Sequence, residues 1–373
     1  MRILIFSTTY FPLVGGAEVA MKEVTDRLPD FEFHLICAKI QPGLPKTERI
    51  GNVTVHRVGF GAPFDKYLLP FFGQVSALML GRFDASWSLM ASYGGFAALF
   101  HRTLHPKTKM LLTLQEGDPL EHYANRAGRL QFLHQRIFQR ADAVQAISKF
   151  LAAWAVKMGF KGTPEVIPNG VDIARFTTKI SPERRSFLRK QFGLSDSDTV
   201  LVTASRLSLK NGIDDLIRSL TSLPENYRAL IAGEGEDRDK LRVLAEQKGL
   251  TRRVVFLGKR GHDELPEILQ VGDIFIRASL SEGLGNSFLE AMAAGLPIIG
   301  TPVGGIPDFL TDGETGVFCQ PRDPESIARA VRRILEEPGL RERLVANGER
   351  LVVEKYGWEG VAEKIGELLR ALS

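Results

Sequence analysis

The chain has little cysteine: two thiols, Cys37 and Cys319, in 373 residues. Two are too few for a disulfide framework, and they stand in no metal-ligand spacing. A reducing compartment is therefore expected, and no structural metal. Long apolar runs are also missing. The longest, Tyr67 to Leu80, is broken by Pro70, Gly73, Gln74 and Ser76. It is too short to cross a bilayer, and it is expected to be a core helix rather than a lipid-acceptor groove. At the N-terminus, Ile3–Phe6 is followed at once by Ser7, Thr8 and Thr9, the pattern of a buried strand and not of a secretory leader. There is no Gly-x-Gly-x-x-Gly after that strand. The loop reads TTYFPLVGG, so a dinucleotide site has poor support. With 44% hydrophobic and 25% charged residues, disordered and fibrous classes are excluded, and the length suits two domains.

Charge of one sign is scarce overall, at a net of +4, but it is unevenly placed. Residues 1–175 hold 20 Lys and Arg against 14 Asp and Glu, with six of the seven histidines, and the remainder holds 28 against 30. A phosphorylated ligand or an anionic membrane surface would meet mainly the first half, and an uneven solvated surface accounts for the same numbers. Nothing points to nucleic acid. Monomer and homodimer both stay open.

What the sequence has is alternation. Apolar runs at Ile3–Phe6, Phe33–Ala38, Val53–Val58, Ala85–Leu89, Met110–Leu114 and Ala143–Ala146 read as buried strands. Helical periods lie between some of them, and Arg126–Arg140 carries Leu130, Leu133, Ile137 and Phe138 on one side. After a Pro/Gly-rich stretch at 162–170 a second series begins, at Val200–Ala204, Ala229–Ala232, Val254–Leu257, Ile274–Ala278, Pro297–Gly300 and Gly316–Phe318. Helices are predicted over Asp214–Leu220, Arg238–Lys248, Leu265–Gln270 and Ser287–Ala294. Two such series predict an α/β fold of two doubly wound domains facing each other across a cleft. Ligands then sit beyond the carboxyl ends of the strands.

One strand-to-helix loop carries the most chemistry: SLSEGLGNSFLEAMAAG at 279–295. Free N–H groups at the helix start near Asn286, with Gly283 and Gly285 allowing close approach, suit a diphosphate. Glu282 in the loop and Glu290 one turn into the helix can each accept two hydrogen bonds from vicinal hydroxyls. Equally, Glu290 can be a helix-surface residue and Glu282 a partner of the helix dipole. Arg206 and Lys210 follow a strand, where they are either ligand cations or solvated loop charges.

The spacing S-E-G-x-G-N-x-x-x-E-A-M-A-x-G-x-P resembles the retaining glycosyltransferases of family 4, which have the GT-B fold of two Rossmann-like domains. YFPLVGGAE (10–18), ADAVQAISKF (141–150), VIPNGVD (166–172), SRLSLKNGIDDLI, IAGEGEDRDKL, VVFLG and TPVGGIPDFL are similar to further segments of that family, in order. The resemblance implies an acceptor-binding domain at 1–168, a donor-binding domain at 169–356, and a last helix at about 357–373 packed back on the first. It implies that Glu290 holds the nucleotide ribose and Glu282 the donor sugar, and that the backbone of Gly283, Leu284, Gly285, Asn286 and Ser287 meets the diphosphate and sugar. Arg206 and Lys210 would lie on the diphosphate. The Gly15–Gly16 loop would face substrate. The sequence departs from the family at two places. Asn211 stands where a lysine is usual, so the phosphate role is carried to Lys210. Gln115 and Glu116 stand where many members have a histidine close to the reacting sugar, and His122 nearby reads as a loop residue.

The function these readings imply is a retaining transfer of sugar from a nucleotide-diphosphate sugar to a hydroxyl acceptor (a glycan, a lipid or a small molecule), without metal or cofactor. It would run in the cytoplasm, with peripheral contact to an anionic membrane as a further expectation. A nucleotide-sugar epimerase or sugar phosphorylase on the same fold, and a non-catalytic nucleotide-sugar-binding protein, are the alternatives. ERRSFLRKQF (183–192) is read as a surface helix at the hinge rather than a lipid contact. The acidic triplet 196–198 is read as a surface turn.

Overall fold

The computed structural model describes residues 1–119 and 131–372; His122 and the beginning of the Arg126–Arg140 segment lie outside them. The chain divides into two compact units, Met1–Gly170 with Trp358–Ser373, and Val171–Gly357.

The first unit is built on an eight-stranded sheet of order β3-β4-β2-β1-β5-β6-β7-β8. Its strands are β1 (Arg2–Phe6), β2 (Glu32–Ala38), β3 (Thr47–Ile50), β4 (Val53–Val58), β5 (Ala85–Leu89), β6 (Lys109–Leu114), β7 (Ala143–Ala146) and β8 (Glu165–Val166). Every apolar run read as a strand is one, because a parallel strand covered on both faces must be apolar at consecutive positions; Ile3, Leu4, Ile5 and Phe6 are all fully buried. Each such side chain contributes roughly 1.5–3 kcal/mol. Three strands depart from that rule, and in β4 the sequence VTVHRV alternates buried and half-buried positions. β3 is an antiparallel edge strand paired with β4, its TERI sequence alternating exposed and half-buried. β8 is two residues within the Pro/Gly-rich stretch. The helices are α1 (Gly16–Asp26), α2 (Asp65–Leu80), α3 (Tyr93–Leu104), α4 (Gln131–Arg140) and α5 (Lys149–Lys157), with the chain's last helix, named α14 below, returning to this unit.

Helix α2 corrects the expectation of a core helix over Tyr67–Leu80. Its buried residues are Asp65, Leu69, Gly73, Gln74, Ser76 and Ala77, mostly small or polar, while Phe71, Val75, Leu78 and Met79 are exposed. The cause is what lies beneath. Gly73 rests on Phe6 and Ile36, where an added Cβ would already be 3.4 Å from the Phe6 ring, so a bulky side chain has no room there. Gln74 donates to the Ala97 carbonyl (3.0 Å) and pairs with His101 Nδ1 (3.0 Å). Asp65 accepts from the N–H groups of Gly61 and Ala62.

The second unit has a six-stranded parallel sheet of order β11-β10-β9-β12-β13-β14, with β9 (Thr199–Ala204), β10 (Tyr227–Ala232), β11 (Val254–Gly258), β12 (Ile274–Arg277), β13 (Ile298–Gly300) and β14 (Val317–Phe318). Helices α6 (Ile173–Thr177), α7 (Pro182–Gln191), α8 (Ile213–Ser219), α9 (Arg238–Gln247), α10 (Leu265–Val271), α11 (Asn286–Ala293), α12 (Pro324–Glu336) and α13 (Leu340–Lys355) cover it, and α14 (Trp358–Arg370) follows. In both sheets the strand order reverses beside the first strand, between β1 and β5 and between β9 and β12. Such a reversal leaves a crevice at the carboxyl ends of the two strands.

The basic segment 183–192 falls on α7, and two of its arginines, Arg185 and Arg189, turn inward while Arg184 stays exposed and pairs with Glu267. Arg189, 1% exposed, donates to the Val271 carbonyl and pairs with Asp273 Oδ2 at 2.8 Å. Arg185 pairs with Asp273 Oδ1 at 2.8 Å, and the Val200 N–H donates to Oδ2. Asp196 and Asp198 are likewise taken by Ser186 and by the Ser195 N–H. One carboxylate thus ties α7 to the starts of β9 and β12. Asp273→Asn should lower the unfolding free energy by about 3–5 kcal/mol, because the Arg189 charge stays buried without a counter-ion. Urea denaturation measures it, and a loss under about 1 kcal/mol would mean the cluster is energetically neutral.

Candidate active site

Three loops meet at the β9/β12 reversal of the second unit. The loop after β9 brings Arg206, Lys210 and Asn211, the loop after β12 brings Glu282 to Gly285, and the chain after β13 brings Gly304 and Gly305. Their common centre is Arg277, the last residue of β12. Its guanidinium lies 2.5 Å from Glu282 Oε2, donates to Asn211 Oδ1 at 2.8 Å and to Ser287 Oγ at 3.0 Å. Glu282 is 8% exposed, so a cation beside it is an electrostatic requirement. Asn211 is buried and spends its amide on the Arg206 carbonyl (2.6 Å). The position where a lysine was expected therefore holds up the Arg277 guanidinium and carries no ligand charge of its own. Arg277 was missed in the sequence because it closes an apolar run, IFIR, that reads only as a strand.

The backbone of Glu282 is held as firmly. Its carbonyl accepts from the Gly305 N–H at 3.1 Å, and a Cβ on Gly304, whose φ is +56°, would fall 1.8 Å from that oxygen. Only glycine fits there. Gly285, in the left-handed region at φ +98°, turns the chain into α11 without a side-chain cap. The Phe288 N–H donates to the Gly285 carbonyl at 2.9 Å, and the dipole at this helix start favours an anion. Leu284 is buried in the core, Asn286 and Ser287 are half-buried, and Gly283 and Gly285 are covered as well. Glu290, half-buried and one turn along, faces His262 Nε2 at 3.4 Å, and His262 in turn contacts Arg175 at 3.1 Å. Arg206 is 69% exposed and pairs with Glu236 at 3.0 Å. Lys210 sits beside it, its carbonyl accepting from the Leu280 N–H. Within the second unit, then, Glu282, Ser287 and the Asn211 turn are joined through Arg277, while Glu290 faces His262 and Arg206 pairs with Glu236.

In the first unit the residues at the β1/β5 reversal are different in kind. Gly15 caps α1, and its N–H donates to Glu18 Oε2 at 2.7 Å, with Thr9 donating to the other oxygen. Gly15 and Gly16 are exposed. After β6, Gln115 Oε1 accepts from Asn169 at 3.0 Å. Glu116 is almost fully buried. One of its oxygens accepts from the Ala91 N–H at 2.8 Å, and the other has no hydrogen-bond partner among the described residues. Burial pushes its carboxyl up to about 7. The Ala91 carbonyl is met from the other side by His134 Nε2 at 2.9 Å, which assigns the ring proton to that nitrogen, and burial lowers the basicity of the ring. Met90, just before, is left-handed at φ +66°, a conformation that non-glycine residues adopt rarely. His134 was seen in sequence only as part of an amphipathic helix.

Comparison with known proteins adds the family. Residues 184–369 match the description "Glycosyl transferases group 1", and residues 14–175 match "Glycosyltransferase Family 4". An uncharacterised glycosyltransferase of Methanocaldococcus jannaschii is 29% identical over 98% of this chain and 96% of its own length. The GDP-mannose-dependent monoacylated alpha-(1-6)-phosphatidylinositol monomannoside mannosyltransferase of Corynebacterium glutamicum is 30% identical over 64% of each chain. Among solved structures, Anabaena HepE in complex with UDP and glucose superposes with a TM-score of 0.83 at 22% identity over the whole of both chains, a likeness of fold. The chain thus belongs to the glycosyl transferases group 1 of the retaining glycosyltransferase family 4, with the GT-B fold, and is a nucleotide-sugar-dependent glycosyltransferase.

Proposed function

We propose that the second unit binds the nucleotide-diphosphate sugar at the carboxyl ends of β9 and β12, and that the first unit receives the hydroxyl acceptor. The observation that carries this reading is the uncapped start of α11 standing beside the buried Arg277–Glu282 pair. There the N–H groups of Gly283–Ser287 meet the diphosphate, Glu282 accepts from hydroxyls of the donor sugar, and Glu290 accepts from the ribose in place of its contact with His262. Arg206 and Lys210 reach the departing phosphate. As the glycosidic oxygen leaves with the nucleoside diphosphate, its negative charge grows toward these cations and N–H dipoles, which are already oriented. The acceptor oxygen attacks from the same face, and its proton passes to the departing phosphate. No carboxylate is required as a covalent nucleophile. Arg277 touches none of the reacting atoms; it positions Glu282 and Ser287.

On the acceptor side Glu18 holds the Gly15 N–H, which leaves Gln115 and Glu116 as the groups that meet a hydroxyl. At neutral pH Glu116 is partly protonated and donates as well as accepts. The relatives named for GDP-mannose and the neighbour crystallised with UDP and glucose support a hexose donor on one of these two nucleotides. Buried unpaired thiols at Cys37 and Cys319 fit a cytoplasmic reaction. Thermal-shift measurements with GDP, UDP and their hexose conjugates test the donor directly, since a ligand of the folded state raises the melting temperature. Phosphate-dependent turnover, or donor conversion without an acceptor, would overturn transfer in favour of a phosphorylase or an epimerase.

Three substitutions test the roles. Glu290→Gln should weaken nucleoside-diphosphate binding about tenfold through loss of a charge-assisted contact, and unchanged affinity in calorimetry removes it from the ribose. Arg206→Ala should lower kcat by about 100-fold while the melting temperature holds, because the side chain is exposed; near-normal turnover sinks its role. For Glu116 the folded carboxyl holds its proton to about 7 against an ordinary 4.5. The unfolded chain loses that proton first, so stability falls as pH rises from about 4.5 to 7. Glu116→Gln should match the wild type near pH 4.5 and exceed it by about 3 kcal/mol at pH 8, and its pH–rate profile should lack the inflection near 7. Parallel stability curves would show that the carboxyl titrates normally.

A further inference from the structure

We infer that Arg277 is itself a ligand of the donor, holding a non-bridging oxygen of the sugar-side phosphate. This rests on the donor reading above and adds one contact to it; the glycosidic oxygen stays with Arg206, Lys210 and the N–H groups. The guanidinium is not used up by the groups around it. Of its five N–H donors, those on Nη2 face Asn211 Oδ1 at 2.8 Å and Glu282 Oε2 at 2.5 Å. One on Nη1 meets Ser287 Oγ at 3.0 Å. The second on Nη1 has no part in that contact, and Nε is buried without a hydrogen-bond partner among the described residues. A buried donor left open forfeits its hydration for nothing in return. Native structures rarely keep one unless another group arrives to fill it.

Place and charge select the arriving group. Ser287 is the second residue of α11, so the guanidinium stands against the first turn of a helix, where the dipole favours an anion. Its other neighbour is Glu282, the group assigned to the donor sugar, and the phosphate between a helix start and the sugar is the sugar-side one. Asn211 and Glu282 are buried, whereas Ser287 is neutral and half-buried. Ser287 is therefore the partner with which a phosphate oxygen shares Nη1. Position 211 in the loop after β9 is neutral, and Arg206 is 69% exposed and already paired with Glu236. The Arg277 side chain is only 11% exposed. With little water to screen it, its hold on an anion exceeds that of a surface cation. It also cancels the Glu282 charge, which would otherwise repel a diphosphate beside it.

Calorimetric titration with GDP and UDP, and with GMP and UMP, tests the contact on the full chain. Arg277→Met should weaken the diphosphates by about 30-fold, the loss of one charge-assisted hydrogen bond, and the monophosphates by less than about threefold. A residue that acts only by holding Glu282 gives a different result, and a double variant separates the two. Arg277→Met combined with Glu282→Gln leaves no carboxylate in want of a partner. Against Glu282→Gln alone it should still bind the diphosphates about 30-fold more weakly. Equal affinities of those two variants would overturn the inference, since Arg277 would then act through Glu282 alone. So would an Arg277→Met chain that melts as a folded protein and binds the diphosphates like the wild type. Equal losses for monophosphates and diphosphates would put the effect outside the sugar-side phosphate and overturn it as well. If Arg277→Met fails to fold, the comparison within the Glu282→Gln background carries the same readout. Failure of the donor reading itself looks different. Glu290→Gln and Arg277→Met would then both leave GDP and UDP affinity unchanged, whereas an error confined to Arg277 leaves Glu290→Gln weakened.

Discussion

A guanidinium drawn out of water at the end of β12 imposes an order on the loops of the second unit. Arg277 can stay where it is only if carboxylate, amide and hydroxyl groups come to it, and they come from three separate stretches of chain: Glu282, Asn211 and Ser287. Breaking such a cluster at one member leaves a buried charge behind, which is far worse than never having built it. Loops that would otherwise sample many shapes are held in one. The start of α11 and the Glu282 carboxylate are consequently held in one arrangement, the prior orientation that the proposed donor site asks of fixed dipoles.

The two units apply opposite electrostatics to equivalent positions. At the β9/β12 reversal the groups are charged and paired: Arg277 with Glu282, Arg206 with Glu236. At the β1/β5 reversal the buried groups are titratable but held near neutrality: Glu116 through desolvation, His134 likewise, with the Ala91 peptide between them. A diphosphate calls for the first kind of surface. An acceptor hydroxyl, which must be gripped without being ionised, calls for the second. The left-handed Met90 next to that peptide is the sort of local strain that persists only where surrounding contacts over-determine it.

Much of this was legible in the residues alone, for a physical reason. A parallel strand covered on both sides must be apolar throughout, so Ile3–Phe6 or Val200–Ala204 announce themselves. The edge strand β3 faces water along half its length and does not. The Glu282–Glu290 spacing was legible because it places one carboxylate before a helix start and the other a turn inside. What sits under a side chain was not legible. Asn211 looks like a lost cation in the sequence, and in the fold it is the amide that supports Arg277, a residue whose strand context hides it. The segment 183–192 reads as a surface helix, yet its Arg185 and Arg189 point at Asp273.

Helix α2 shows why direction is harder to read than content. Its composition is apolar, and burying the apolar side would ordinarily win. But at Gly73 the floor it rests on is formed by Phe6 and Ile36, and a Cβ there would already be in contact with both, so no bulky side chain fits. Turning the helix over to bury Phe71 and Val75 would drive large side chains into that floor. It would also strip Gln74 of both its partners, and a stranded buried polar group costs about 1–3 kcal/mol. Rotation therefore loses on sterics and hydrogen bonding together, and the apolar stripe stays outside whether or not anything covers it. A surface held out in this way by the fold itself is available for contact at no expense to the stability of the unit beneath.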